Sequence, residues 1–458
     1  MKKRRSFRRD LSDSLAPMSD TLRFESKRRP GPGVFERRSV LDYWKISSSF
    51  CSRRFGCGGQ IVGHTRCKES MHQADCDVMI LGAGASGLMC AAVAAARGRK
   101  TLVLDHADVF ARKVRISGGG RCNFTNLRAS AEDYVCGNPH FPKSALARFT
   151  PADAVELLRG LELPAHEEEG GKIFCESAEQ TAEALLGRAR RAGARLLGGA
   201  AIQAARRDGN VFRVDTSVGS FRASSLVLAL GGPAWPQIGA TAFGCKIARS
   251  FGLGVTQFRP GLAPFIADGD FRKLCRELSG VSLPARVAEP HAAEGGLLFT
   301  HSGLSGPAAL DASLSWREGR AVVLDLAPDV DLAEKIDQNP RRSIKNILAQ
   351  VLPKRLASLL CEAYGWDGVG ADLSKKRLEA IEGRLHGFSF TPAKTAGWPQ
   401  AEAALGGVDV GALSSKTMGA KDVPGLYCIG ELLDVTGRVG GFNLQWAWSS
   451  GAAAGEVA

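Results

Sequence analysis

Six residues, Gly82-Ala83-Gly84-Ala85-Ser86-Gly87, constrain this chain most, because they join a run that reads as a strand, Asp77–Leu81, to one that reads as an alanine-rich helix, Ser86–Arg97. Gly82 permits a tight turn, Gly84 lets a pyrophosphate approach the main chain, and Gly87 lets helix and strand pack closely. Around Ala85 and Ser86 the helix offers free N–H groups and the positive end of its dipole, roughly half a charge, to phosphate oxygens. A second strand, Thr101–Leu104, leads to Asp105, 23 residues after Gly82, where a carboxylate accepts a hydrogen bond from a ribose 2′-hydroxyl and repels a 2′-phosphate. An α/β dinucleotide-binding domain is expected.

Further glycine clusters point to FAD, bound non-covalently. Ser117-Gly118-Gly119-Gly120-Arg121-Cys122-Asn123, with Arg112 and Lys113 just before it, suits a second pass of bare, positively charged backbone along an extended cofactor. A β-rich stretch, Phe221–Leu230, runs into Gly231-Gly232, and a strand near Gly425–Ile429 ends in Gly430-Glu431, a geometry that in flavoproteins holds the ribityl chain. Gly440-Gly441 then precedes a helix, Phe442–Ala454. A reduced flavin gathers negative charge around N1 and the C2 carbonyl, so this helix start is expected against that edge, with Phe442 beside it, Asn443 and Gln445 as polar contacts, and Trp448 in the core. The chemistry expected is electron transfer between NAD(P)H or an organic substrate and a small-molecule acceptor. No second glycine fingerprint is present, so NAD(P)H would bind only transiently as donor, and direct substrate oxidation is the other possibility.

The remaining reactive residues are less telling. Disulfide-reducing flavoproteins place a second cysteine five positions after the first, and that position relative to Cys122 is Leu127, so Cys122 reads as a small packed thiol. His301, between Thr300 and Ser302 in a glycine-rich segment, is the one candidate catalytic residue, a proton donor on a loop able to close over the flavin ring. Neither a Ser-His-Asp set nor a metal-ligand cluster is apparent, and the twelve cysteines lack the paired spacing of a zinc site. The run Arg188–Arg195 reads as the solvated face of a helix.

The net charge of +13 invites a nucleic-acid reading, but its location limits that reading. Residues 1–70 hold 17 Lys/Arg against 7 Asp/Glu, which leaves about +3 on the other 388. Residues 1–72 are expected to be either a basic, disordered extension or a start assigned too far upstream, since Met71 stands just before the first strand. A nucleic-acid-associated flavoprotein, modifying or binding RNA, is therefore the alternative function, with any affinity in the basic extension. The apolar run Leu88–Ala96 is far too short to span a bilayer, and Leu11-Ser12-Asp13-Ser14 stands where an export signal needs apolar residues. A cytoplasmic enzyme with a small-molecule substrate and no membrane partner is expected.

Three long motifs, Ser117–Asn126, Phe299–Pro307 and Gly430–Gly437 continued by Gly440–Ser450, resemble the YhiN/BaiN-type flavoproteins over about residue 75 to the end. The resemblance implies a glutathione-reductase-like Rossmann FAD-binding domain interrupted by a β-barrel-like insert with a small helical part. That gives FAD-domain segments at 73–261 and 391–458 and an insert at 262–390, where the sequence changes to short apolar strands and a helical stretch, Ile344–Tyr364. It also implies that Gly82, Gly84, Gly87, Asp105, Lys113, Gly119, Gly120, Arg121, Gly231, Glu431, Asp434 and Asn443 line the FAD. The chain departs from the usual pattern at Ala403-Ala404, at Gly419-Ala420 and at Phe442, which mark a divergent subgroup.

Overall fold

In the computed structural model, which describes residues 74–289 and 292–458, the strand Cys76–Leu81 is the middle of a mostly parallel sheet. Its unbroken apolar run has Val78, Met79, Ile80 and Leu81 fully buried, as a strand covered on both faces requires. Thr101–Leu104 lies parallel on one side, with Arg195–Leu197 beyond it, and Gly219–Leu228 lies parallel on the other. That last strand serves two further neighbours: Gly219–Ala223 runs antiparallel to Val211–Thr216, while Leu226–Leu228 runs parallel to Leu426–Cys428. The expectation for residues 1–72 falls outside the described residues.

Two helices cover one another beside this sheet. Ala85–Ala96 packs against Phe442–Gly455, and glycines set how closely. A Cβ at Gly451 would stand 2.6 Å from the Ser86 carbonyl oxygen, and one at Gly455 would stand 2.8 Å from that of Cys90. Trp448, on the same helix, is fully buried, stacks on Phe124 at 4.7 Å and donates its indole N–H to the Phe124 carbonyl at 2.8 Å. It belongs to the core, as expected.

The insert has a core of its own. Its seven-stranded antiparallel sheet runs, in spatial order, Phe388–Phe390, Val322–Asp325, Ser282–Glu289, Ala293–Thr300, Gly303–Ser305, Phe265–Ile266 and Lys394–Thr395. The two edge strands are consecutive in sequence, and the second, Lys394–Thr395, lies past residue 390. The helical stretch expected over Ile344–Tyr364 is helical, as two helices, Ile344–Val351 and Lys354–Tyr364, because Pro353 lacks an N–H and holds Leu352 extended. Entry to and exit from the insert are zipped together where Val255–Gly261 pairs with Ala403–Val408.

Candidate active site in a glycine-lined cleft

A cleft of about 650 Å³ runs from the end of Thr101–Leu104 to the start of the helix Phe442–Gly455. Gly82 turns the chain at its floor with φ of +107°, and a Cβ there would stand 2.4 Å from the Ala229 carbonyl oxygen. Gly87 allows the close packing expected of it, since its Cβ would lie 2.0 Å from the Gly82 carbonyl oxygen. Gly84 differs: nothing lies within 4 Å of a Cβ there, so the missing side chain leaves room in the cleft. The first turn of Ala85–Ala96 has no side-chain cap and no acidic residue, which leaves its N–H groups free for an anion. Asp105 lines the same end, with Oδ2 accepting from the Ala83 N–H at 2.8 Å and Oδ1 from the Ala107 N–H at 2.9 Å.

The middle of the cleft is walled by an ion pair. Lys113 Nζ donates to Glu431 Oε2 at 2.5 Å, Glu431 Oε1 accepts from the Ala404 N–H, and Gly231-Gly232 pass close beside that carboxylate. Across from it, Ser117, Gly118, Gly119, Arg121 and Asn123 line the wall, with Gly118 and Gly119 left-handed at φ of 56° and 66°. Arg121 lies over the Phe174 ring at 4.3 Å and pairs with Glu168 at 2.6 Å, and the guanidinium holds that carboxyl below its ordinary range. Arg112 stands against His106, with Nη2 to Nε2 at 2.7 Å.

At the far end Gly440 and Gly441 both have positive φ, and a Cβ at Gly441 would stand 2.4 Å from the Thr125 carbonyl oxygen. The helix that follows is also uncapped and free of acid in its first turn, so two positive helix ends converge on one cleft. Asn443 ties the turn, accepting from the Gly437 N–H and donating to the Gly437 carbonyl, each at 2.9 Å. From the insert, Asp311 reaches the same loop, accepting from the Val439 N–H at 2.6 Å and from Arg438 Nε at 3.3 Å. Burial raises the Asp311 carboxyl above its ordinary value, although the Val439 N–H and Arg438 pull it back.

Several residues expected at the cofactor do not line the cleft. Gly87 and Gly430 lie behind it, and a Cβ at Gly430 would stand 2.4 Å from Ser86 Oγ. Gly120 is exposed beyond the wall, and Asp434 is directed toward Gly137. Phe442 is buried beneath Tyr134, whose hydroxyl donates to the Phe442 carbonyl at 2.9 Å. Cys122 is fully buried, and the hydrogen bond with the Cys175 thiol, with burial, keeps it protonated. Gln445 bonds Thr125 and the Phe149 carbonyl rather than facing the cleft. His301 is exposed and does not line the cleft, and Thr300 Oγ1 accepts from the Ser302 and Gly303 N–H groups of its turn. Arg188 is half-buried beside Met89, so only Arg190, Arg191 and Arg195 of that run are solvated.

Sequence reasoning missed His106, Phe174, Trp235, Ile238, Leu262, Glu402, Arg438 and Val439, all on the cleft wall. Several of these stand beside residues already singled out: His106 follows Asp105, Trp235 stands three residues after Gly231-Gly232, and Arg438-Val439 precede Gly440.

FAD fits this cleft. The volume suits a cofactor site, Gly84 supplies the bare backbone that a pyrophosphate needs, and Asp105 stands where a ribose hydroxyl would. Fold and cleft together define an FAD-dependent oxidoreductase on a Rossmann-type sheet. The chain belongs to the family described as "HI0933-like protein Rossmann domain", whose model matches residues 76–457. It is 42% identical over 390 residues to the ribosomal RNA dihydrouridine synthase of Escherichia coli strain K12, covering 82% of this chain and 96% of that protein. It is 41% identical over 386 residues to the protein of the same description from Haemophilus influenzae, covering 81% and 96%. It is 28% identical over 402 residues to the 3-dehydro-bile acid delta(4,6)-reductase of Clostridium scindens, covering 83% and 98%. No described helix is long and apolar enough to cross a membrane.

Proposed function

We propose that this chain reduces a uridine of ribosomal RNA to dihydrouridine, with electrons drawn from NAD(P)H through FAD. The reading rests on the two ribosomal RNA dihydrouridine synthases, which align with the chain over nearly their whole lengths. The bile-acid relative supports the reaction class, since a uracil and an unsaturated ketone both present a carbon–carbon double bond conjugated to a carbonyl. When bound, reduced FAD supplies the hydride equivalent that such a bond takes up.

The chain's own residues hold and orient. The free N–H groups at Ala85 and Ser86 would take the pyrophosphate, and Asp105 the ribose. The positive helix start after Gly441 would stabilise charge at the pyrimidine edge of the flavin, with Lys113 and Glu431 fixing the wall beside it. Arg128 and Lys172, beside Gly171 and Gly440, have no carboxylate partner among the described residues and suit phosphates of a strand whose target base is turned out of its stack. On this reading Arg128 and Lys172 would give the body of the protein a share in RNA recognition. A ribosomal substrate also implies the cytoplasm, in keeping with the nine described cysteines, all free thiols.

The test is anaerobic incubation of the FAD-loaded protein with NADH or NADPH and an unmodified ribosomal RNA transcript, followed by nucleoside mass spectrometry. A gain of two hydrogens at one uridine is expected. Rapid flavin bleaching by NAD(P)H with no dihydrouridine in transcript or native subunits would sink the proposal.

A further inference from the structure

We infer that Glu402 is the proton donor of the reduction, an inference that rests on the proposed reaction class. Glu402 lies just ahead of the exit strand Ala403–Val408, on the cleft wall, with its N–H donating to the Leu262 carbonyl. The other two wall carboxylates are engaged, Asp105 by backbone N–H groups and Glu431 by Lys113 and the Ala404 N–H. Glu402 has no side-chain hydrogen bond or ion pair among the described residues.

Its neighbours place it at the working end of the cleft. Leu262 and Ala403 share an apolar cluster with Leu310, Leu314 and Leu405, against which Val439 packs, and Val439 directly precedes Gly440-Gly441 at the helix start. Glu402 is exposed where it opens on the cleft, with Leu262 and Ala403 beside it on the wall. Desolvation against the wall, joined by the negative charge of Asp311, raises its carboxyl above the ordinary glutamate value. The charged groups on the surrounding elements are Asp311 and Arg317 of the insert, Arg259 on the paired strand, Arg438 on the glycine loop, and the Lys113–Glu431 pair. Arg438 is spent on Asp311, so the cation nearest in the loop does not neutralise Glu402.

The step balances. C6 of the uracil would take up the hydride equivalent that bound, reduced FAD supplies, with the C5=C6 pair shifting toward the C4 carbonyl. C5 then takes the proton from Glu402, breaking its O–H bond. Water would then reprotonate the Glu402 carboxylate, with NAD(P)H as the reductant that the proposed reaction consumes. An acid with a raised pKa is suited to this work near neutrality.

The experiment compares wild type, Glu402→Gln and Glu402→Asp as FAD-loaded proteins in anaerobic stopped flow. Each is reduced with dithionite, then reoxidised by ribosomal RNA, by 2-cyclohexen-1-one, or by ferricyanide, which needs no carbon protonation. Glu402→Gln is expected to slow reoxidation by RNA and enone by about 10²–10⁴-fold, while ferricyanide reoxidises all three equally and Glu402→Asp restores part of the rate. The wild-type rate should fall as pH rises through the raised carboxyl value, and the glutamine variant should lose that dependence. Wild type reducing the enone but not RNA would sink the ribosomal reading while leaving Glu402 under test. A glutamine variant within threefold of wild type on the conjugated acceptors, or a wild type reducing neither of them, would overturn the inference.

Discussion

Replacing Gly84 with valine should separate cofactor binding from folding. Gly84 caps the helix Ala85–Ala96 with φ of −82° and ψ of −171°, extended values that a β-branched residue adopts readily, and no atom lies within 4 Å of the new Cβ. Losing a glycine from the unfolded chain stabilises by about 0.4–1 kcal/mol, and losing a tolerable N-cap costs a similar amount, so net stability should move by less than about 1 kcal/mol. The valine methyls would occupy the space through which the helix N–H groups reach a pyrophosphate. Loss of two charge-assisted hydrogen bonds at about 1.5 kcal/mol each removes about 3 kcal/mol, or slightly more than 100-fold in Kd. Fluorescence titration of apoprotein with FAD reads the affinity, and thermal melts of the same apoprotein read the fold. Gly87→Ala is the contrasting variant: its Cβ would fall 2.0 Å from a backbone oxygen, so it should destabilise the apoprotein itself. FAD affinity of Gly84→Val within threefold of wild type would refute the pyrophosphate placement.

Two further outcomes follow from packing and charge. Trp448→Ala removes a fully buried indole stacked on Phe124 and should cost about 3–5 kcal/mol, lowering Tm by about 4–6 °C in a scanning melt. Because burial raises the Asp311 carboxyl, the unfolded chain releases that proton first as pH climbs. Stability should therefore decline from the ordinary aspartate range up to the raised value, and Asp311→Asn should flatten that slope in melts taken across pH.

Local chemistry made half of the cleft legible. Gly82, Gly84 and Asp105 follow from steric and hydrogen-bonding rules that act within one strand–turn–helix unit, and Gly441 lies where its backbone must approach that of Thr125. Glu402, Leu262 and Arg438 were not legible, because they reach the wall through the pairing of Val255–Gly261 with Ala403–Val408 and through Asp311, contacts between distant segments that leave no periodic trace. Gln445 was misplaced for a geometric reason. Asn443, Leu444 and Ala447 share the cleft-facing side of their helix, and a residue one position past Leu444 has turned toward Phe149. Pro353 is a readable helix stop inside the helical stretch Ile344–Tyr364. Cys122 and Phe442 sit in a cofactor motif but serve the layer beneath it, a distinction that motif membership does not carry.

The strand Gly219–Leu228 waits for its neighbour Leu426–Cys428 until the entire insert has been made. At a synthesis rate of about 5–20 residues per second, those ~200 residues take about 10–40 s, during which a strand edge and the alanine-rich helix emerge from the ribosome without their cover. The insert, with a core of its own, can fold in that interval. A ribosome stalled inside the insert therefore releases a sticky half-sheet rather than a weak enzyme, and flavin uptake should begin only after the closing helix has left the exit tunnel.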